Sequence, residues 1–319
     1  QAGSSILITV DVGEMTPDER RQKRLESQED AHAKAIAGLA DGWHHSKIDG
    51  FLVVSHTDER FDKQVAEQAG AVFRWLEKTF PYVGPGEYVR EPILRVCKDF
   101  DEERSFRGDD ASLDLFGLGL EVTTNQEYGG TRSMEAGFLN VAMTKIWFND
   151  RDRDLWWLMP TWVREGIVGT VMEATAKSGK LDFYRGDWTA EALRTVVREE
   201  RATKPRDLVY LTDKDFSGDD QMAAFERSKQ AQALVDYLLL GPGSKNPKTK
   251  NLLESYIKNV KAVIAEIKQA GEELAKDEED KEKPVTEAEE EAALKERRER
   301  WEARERQLLE EAGRRTFPG

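Results

Sequence analysis

Residues Arg132–Ala174 decide how this chain is read: RSMEAGFLNVAMTKIWFN (132–149), DRDRDLWWLM (150–159) and PTWVREGIVGTVMEA (160–174). The outer pieces carry helical apolar spacing and predict two helices, Ser133–Asn149 and Pro160–Ala174. The middle piece, Asp150–Met159, reads as a charged, Trp-rich connection. Aromatic residues concentrate here: Trp147, Phe148, Trp156, Trp157 and Trp162. They are expected to form the core beneath the two helices. Trp156 and Trp157 are neighbours and cannot both point inward from one helical turn. The outward one, beside Arg151, Arg153 and Asp154, would be a hot spot for protein contact.

Upstream, Phe51–His56 is a continuous apolar strand of the buried kind. A helix is predicted over Glu59–Phe80, with Phe61, Val65, Val72, Phe73, Leu76 and Phe80 on one face, and Pro81 and Gly84-Pro85-Gly86 end it. A second strand follows at Ile93–Lys98 and a third at Leu118–Thr124. Strand–helix–strand order fits a parallel α/β unit, and an antiparallel sheet edge fits it too. Cys97, the single cysteine, sits in the second strand as a core residue. One cysteine excludes an internal disulfide framework.

Before this region, residues 1–50 read as an arm. Ile6-Leu7-Ile8-Thr9-Val10 within Ser4–Val10 is a short strand with no partner beside it in sequence, expected to pair with a sheet elsewhere or with another protein, which makes Ile6 and Ile8 candidate protein contacts. Thr16-Pro17-Asp18-Glu19 is a capping box that starts a helix to about Ala40 with a thin apolar stripe (Leu25, Ile36, Leu39). After Ala174, helices are predicted over Thr189–Arg201, Gly218–Leu240 and Lys250–Gln269. From Glu272 the composition turns to Glu, Lys, Arg and Asp, Lys281–Pro284 reads as a linker, and Thr286-x-x-Glu289 caps a last helix to Ala312. That helix would be about 40 Å long. Its apolar residues Leu294, Trp301 and Leu308 recur every seven positions. One residue per heptad is too narrow a stripe for a coiled coil, which leaves a solvated helix or an arm docking these three residues into a partner.

The formal net charge of −14 over 319 residues excludes a nucleic-acid partner that needs a basic footprint. No apolar run reaches the length of a membrane span, so any membrane association would be through partners. The start at Gln1-Ala2-Gly3, without Met, gives the expectation of an exported, periplasmic protein, with a cytoplasmic one as the alternative.

The order Pro160-x-Trp162-x-x-Glu165-Gly166 resembles the third-ligand helix of peptidase MA-like, gluzincin-type zinc metallopeptidases, usually P-x-W-x-x-E-G. Leu139–Phe148 has the hydrophobic framing of that family's H-E-x-x-H helix. The 21 positions from Thr144 to Glu165 match the family's separation. By that register Asn140 and Thr144 stand where the two His ligands would be, and Val141 where the base Glu would be. The likeness extends more weakly over Phe51–Ile267. Asn and Thr offer zinc neither an imidazole nor an anionic donor, Val141 cannot take a proton from water, and no His follows His56. Without a metal to activate it, water stays a weak nucleophile near neutral pH. Glu165 is expected to be buried near Asn140 and Thr144, within hydrogen-bonding reach. A Ser-His-Asp arrangement cannot be traced from His32, His44, His45 and His56, and no Gly-rich phosphate loop is present.

The expected fold class is therefore α+β: a small β-sheet packed with helices, a gluzincin-like core over residues 51–270, and helical arms at both termini (1–50 and 271–319). The expected function is that of a catalytically inactive, peptidase-like structural or binding subunit of a larger protein assembly, without cofactor or metal. Asn140, Val141, Thr144 and Glu165 form its vestigial active site, and Ile6, Ile8, Trp156, Trp157, Leu294, Trp301 and Leu308 are its protein-contact candidates. The alternatives are a hydrolase with a non-standard site around Glu165, or a peptide- or solute-binding protein that uses the vacated cleft.

Overall fold

The computed structural model describes residues 16–84, 91–107, 121–127, 134–184, 187–218, 220–276 and 287–317. The expected strand with Ile6 and Ile8 lies outside them, and so do the side chains of Leu294 and Trp301. The fold is mixed α+β.

Its sheet begins earlier than the sequence reading expects. His44–Ile48 (β1) pairs antiparallel with Phe51–Ser55 (β2) across Asp49-Gly50, both of which hold positive φ (51° and 82°). A two-residue hairpin needs that backbone, and Asp-Gly adopts it readily. Helix α2 (Glu59–Thr79) then carries the chain to β3 (Ile93–Cys97), parallel to β2; helix α3 (Phe100–Arg107) follows, and β4 (Glu121–Asn125) lies parallel to β3. The sheet order is β1-β2-β3-β4, so the parallel arrangement is the one adopted. The period-2 alternation of a strand gives each face its own core. Phe51, Val53, Leu94, Val96 and Val122 join the main core with α2, and Leu52, Val54 and Ile93 face the other way.

Helix α1 (Pro17–Ile36) covers that second face with Ala31, Ala35 and Ile36, helped by Leu39 and Trp43. Its start is the expected capping box: the Thr16 side chain accepts from Glu19 N–H, and the Glu19 carboxylate accepts from Thr16 N–H. Gln28 Oε1 accepts from Glu91 N–H (2.8 Å), tying the helix to the approach to β3. Residues 16–48 thus belong to the sheet layer, which corrects the expectation of an arm there. A thin apolar stripe suffices because it has only three strand side chains to cover.

The two central helices are α4 (Met134–Leu158) and α5 (Thr161–Met172). The expected connection between them is mostly helical, broken only at Asp152 (φ −160°, ψ 90°). There Asp152 Oδ1 accepts from Leu155 N–H (3.0 Å) and starts the last turns afresh. Past α5 comes a hairpin that the sequence reading does not include, Ala174–Lys177 (β5) with Lys180–Phe183 (β6), turning at Ser178-Gly179. Helix α6 (Asp187–Arg198) and the short α7 (Pro205–Leu208) and α8 (Asp213–Ser217) lead to α9 (Gln221–Leu239). Gly166 of α5 lets α9 approach closely, since a Cβ there would sit 2.4 Å from Val235 Cγ2 and 2.8 Å from the Ala231 carbonyl oxygen.

Helices α10 (Leu252–Lys276) and α11 (Glu287–Thr316) pack on one another. Leu308, Leu309 and Ala312 are buried, Asn259 Nδ2 donates to Thr316 Oγ1 (2.9 Å), and Arg315 holds Glu266 through two bonds (2.9 and 2.8 Å). Leu308 therefore docks inside its own chain, a correction to its reading as a partner contact. The heptad count misses Leu309 and Ala312, which widen the stripe where it matters. Burying the two leucines contributes about 1.5–3 kcal/mol each, whereas exposed ion pairs contribute about 0–1.

Glu305 of α11 accepts from Asp213 N–H, and burial raises its pKa above the usual carboxylate range. The bond from Asp213 N–H opposes the shift, the Asp213 carboxylate adds to it and Arg164 opposes it. Its contribution to stability is thus present below the unfolded carboxylate pKa and fades as pH rises through the raised value. Glu305→Gln should raise the urea midpoint at pH 7 relative to the unaltered chain and lose that advantage near pH 4. Gly166→Val should lower stability by about 1–3 kcal/mol, through overpacking against Val235 and the α9 backbone, in the same denaturation assay.

Candidate functional site

The positions singled out in the sequence lie where α4 passes the C-terminal end of α5. A helix C-terminus leaves its last carbonyls without intrahelical donors. Here the donor is Asn140: its Nδ2 bonds the carbonyls of Val171 and Ala174, both at 2.8 Å. Its Oδ1 accepts from Gln68 Nε2 of α2 (2.7 Å). The same Nε2 reaches Ala174 O (3.4 Å), while Gln68 Oε1 accepts from Ala176 N–H (2.7 Å). Both side-chain amides thus spend all their donors, and both oxygens accept, inside the protein. Asn140 is 0% and Gln68 3% exposed.

Thr144, also fully buried, donates to the Asn140 carbonyl one turn back (2.8 Å), and Val141 is buried beside them. Neither position offers a lone pair to an open space. Among the described residues no group of three or more His, Cys, Asp or Glu could hold a metal ion.

Glu165 is half-buried on α5 and accepts from Ser228 Oγ of α9 (3.3 Å). That differs from the expected bond to Asn140 or Thr144, whose own hydrogen bonds run to other groups. The cation near Glu165 is Lys145, half-buried on α4: burial lowers its pKa, Glu165 raises it and Arg164 lowers it further. The antiparallel run of α4 and α5 sets Asn140 against the end of α5 and Lys145 against its middle, so the register brings Glu165 to Lys145.

The two tryptophans divide as the sequence requires. Trp156 stacks on Phe148 (centroids 4.8 Å apart, 27° between planes) and is 3% exposed, so it is corrected from contact candidate to core residue. Trp157 points out at 36% exposure, with Arg164 Nη1 bonded to its carbonyl (3.0 Å). Cys97 is buried and its pKa is pushed up to about 12, first by burial and then by Glu102, so it is no nucleophile.

One polar cluster escapes the sequence reading. Asp62, 1% exposed, accepts from Ser55 Oγ (2.5 Å) and Thr57 Oγ1 (2.9 Å) and bonds His44 Nε2 (2.8 Å). Serine, histidine and aspartate do meet here, yet the carboxylate stands between the other two. The Ser55 proton goes to Asp62 and not to an imidazole, the reverse of what activates a serine nucleophile. The signal was the β1–β2 register, which sets His44 opposite Ser55 and depends on recognising the Asp49-Gly50 turn.

Comparison with protein-family models, with curated proteins and with solved structures finds no match to this chain. Replacing Asn140 with Ala takes one donor from each of the Val171 and Ala174 carbonyls and leaves one Gln68 donor without its acceptor. The expected loss is about 2–4 kcal/mol in urea denaturation, with faster hydrogen exchange at the Ala176 amide.

Proposed function

We propose that this chain is a catalytically inactive, gluzincin-like protein that serves as a structural or binding subunit of a larger protein assembly. The observation that carries the reading is the closed Gln68–Asn140 network. Where the resemblance puts two metal-binding imidazoles, a carboxamide and a hydroxyl are buried and spent on backbone carbonyls. The Pro160–Gly166 segment supports the same reading: Trp162 is core and Gly166 admits α9, so the signature keeps its packing role. Glu165, with Ser228 and Lys145 beside it, holds a polar contact between helices. Of the Trp156–Trp157 pair, Trp157 is the one exposed to meet a partner, and interface hot spots are enriched in tryptophan. The site's place is closed, so a solute bound in a vacated cleft is the weaker alternative.

The test is the metal content of the purified chain together with peptide hydrolysis, with and without chelator. The expected outcome is metal far below one ion per chain and no chelator-sensitive cleavage. Stoichiometric zinc with chelator-sensitive hydrolysis overturns the reading. In extracts of its source, the chain should sediment as a species larger than one copy, and Trp157→Ala should shift it towards the single chain. Sedimentation as a single chain in both cases defeats the subunit proposal.

A further inference from the structure

A cavity of about 420 Å³ opens at the side of α5 away from the Asn140 network. Trp162 and Tyr256 line it together with Leu234 and Leu238 of α9, and Phe317 and Arg206 line it as well. The volume falls in the range of about 300–1,000 Å³ typical of small-molecule sites. Its lining is apolar and aromatic. The polar atoms of the two large rings are matched to one another, Trp162 Nε1 donating to the Tyr256 hydroxyl (3.4 Å). What these residues present to a ligand is therefore mainly hydrocarbon and ring surface, and the Tyr256 hydroxyl, which accepts from Trp162, has no acceptor for its own proton among the described residues.

Arg206 is the exception. It is exposed on α7, and no described residue gives it a hydrogen bond or an ion pair, although the chain's formal net charge is −14. A guanidinium left uncommitted beside apolar volume selects a molecule with a hydrocarbon body and one anionic end. Charge-assisted bonds from Arg to a carboxylate are among the stronger polar contacts. We propose that this cavity binds a free monocarboxylate with an apolar body, of the fatty-acid class, its carboxylate on Arg206 and its chain against Leu234, Leu238 and Trp162. The site shares none of the vestigial positions, so it stands whether or not the subunit reading holds.

The experiment titrates decanoate, decanol and decyltrimethylammonium against the full chain carrying 8-anilinonaphthalene-1-sulfonate as fluorescent probe, with urea midpoints read in parallel. Decanoate should displace the probe and raise the midpoint, as any ligand of the folded state does. Arg206→Ala should weaken decanoate by about tenfold and leave decanol unchanged, which is the loss of one charge-assisted contact. Leu234→Trp, which fills the cavity, should weaken decanoate and decanol alike. If that variant does not fold, Leu238→Phe makes the same test. Decanol or the ammonium binding as tightly as decanoate overturns the proposal. So does decanoate binding unchanged by both Arg206→Ala and the filling variant, or no displacement by decanoate.

Discussion

The buried amide pair of Gln68 and Asn140 is the constraint that organises the centre of this protein. It joins α2, α4, the end of α5 and the start of β5 at a point sealed from solvent. An unpaired polar group there would cost about 1–3 kcal/mol, and the cluster holds several. The groups can be satisfied only together, with every element in register. The arrangement is therefore close to all-or-none, as expected of a polar network in a low-dielectric interior. A hydrophobic core by itself would permit α5 to slide or roll, and the two amides do not.

This also explains why the site was legible only by half. Asn140 and Thr144 cannot ligate zinc, and that follows from their chemistry alone. What Asn140 does instead depends on Gln68, 72 residues before it, and on carbonyls 31 and 34 residues after it, which no local pattern announces. Glu165 shows the same limit. Its helix and rough placement follow from the sequence, but its partner, Ser228, is 63 residues away on α9. Gly166 reads as part of a signature, and the close approach of α9 gives that glycine its physical reason.

The fold was legible where periodicity is strong and misread where a short turn or a few residues decide. The buried strands at Phe51 and Ile93 and the amphipathic α2 and α9 follow directly from apolar spacing. β1 does not, because His44-His45-Ser46-Lys47 is polar and resembles loop, though the Asp49-Gly50 pair marks the hairpin. α1 covers Leu52, Val54 and Ile93, and a strand that is apolar throughout does not announce which of its side chains face a second helix, so α1 looks like a free arm. At the other end, charged residues outnumber apolar ones through most of α11 and hide a docking patch that, among the described side chains, falls at Leu308, Leu309 and Ala312.

That patch ties the C-terminus to the cavity. Phe317 lines the cavity and lies 5.6 Å from Tyr256, centroid to centroid, and it is held there by the last turns of α11. These turns rest on Leu308, Leu309 and Ala312, on Tyr210 packed against Gly313, and on exposed pairs such as Arg315–Glu266 that add little. Among the described side chains these apolar contacts span a short length, and such a segment opens more easily than the central core. When it opens, the cavity loses a wall, so whatever fills the cavity must also favour the docked helix. By linkage the reverse holds as well: docking of α11 favours occupancy of the cavity by as much as occupancy favours docking. A charged helix that looks like a solvated tail thus becomes a wall of the cavity at its far end.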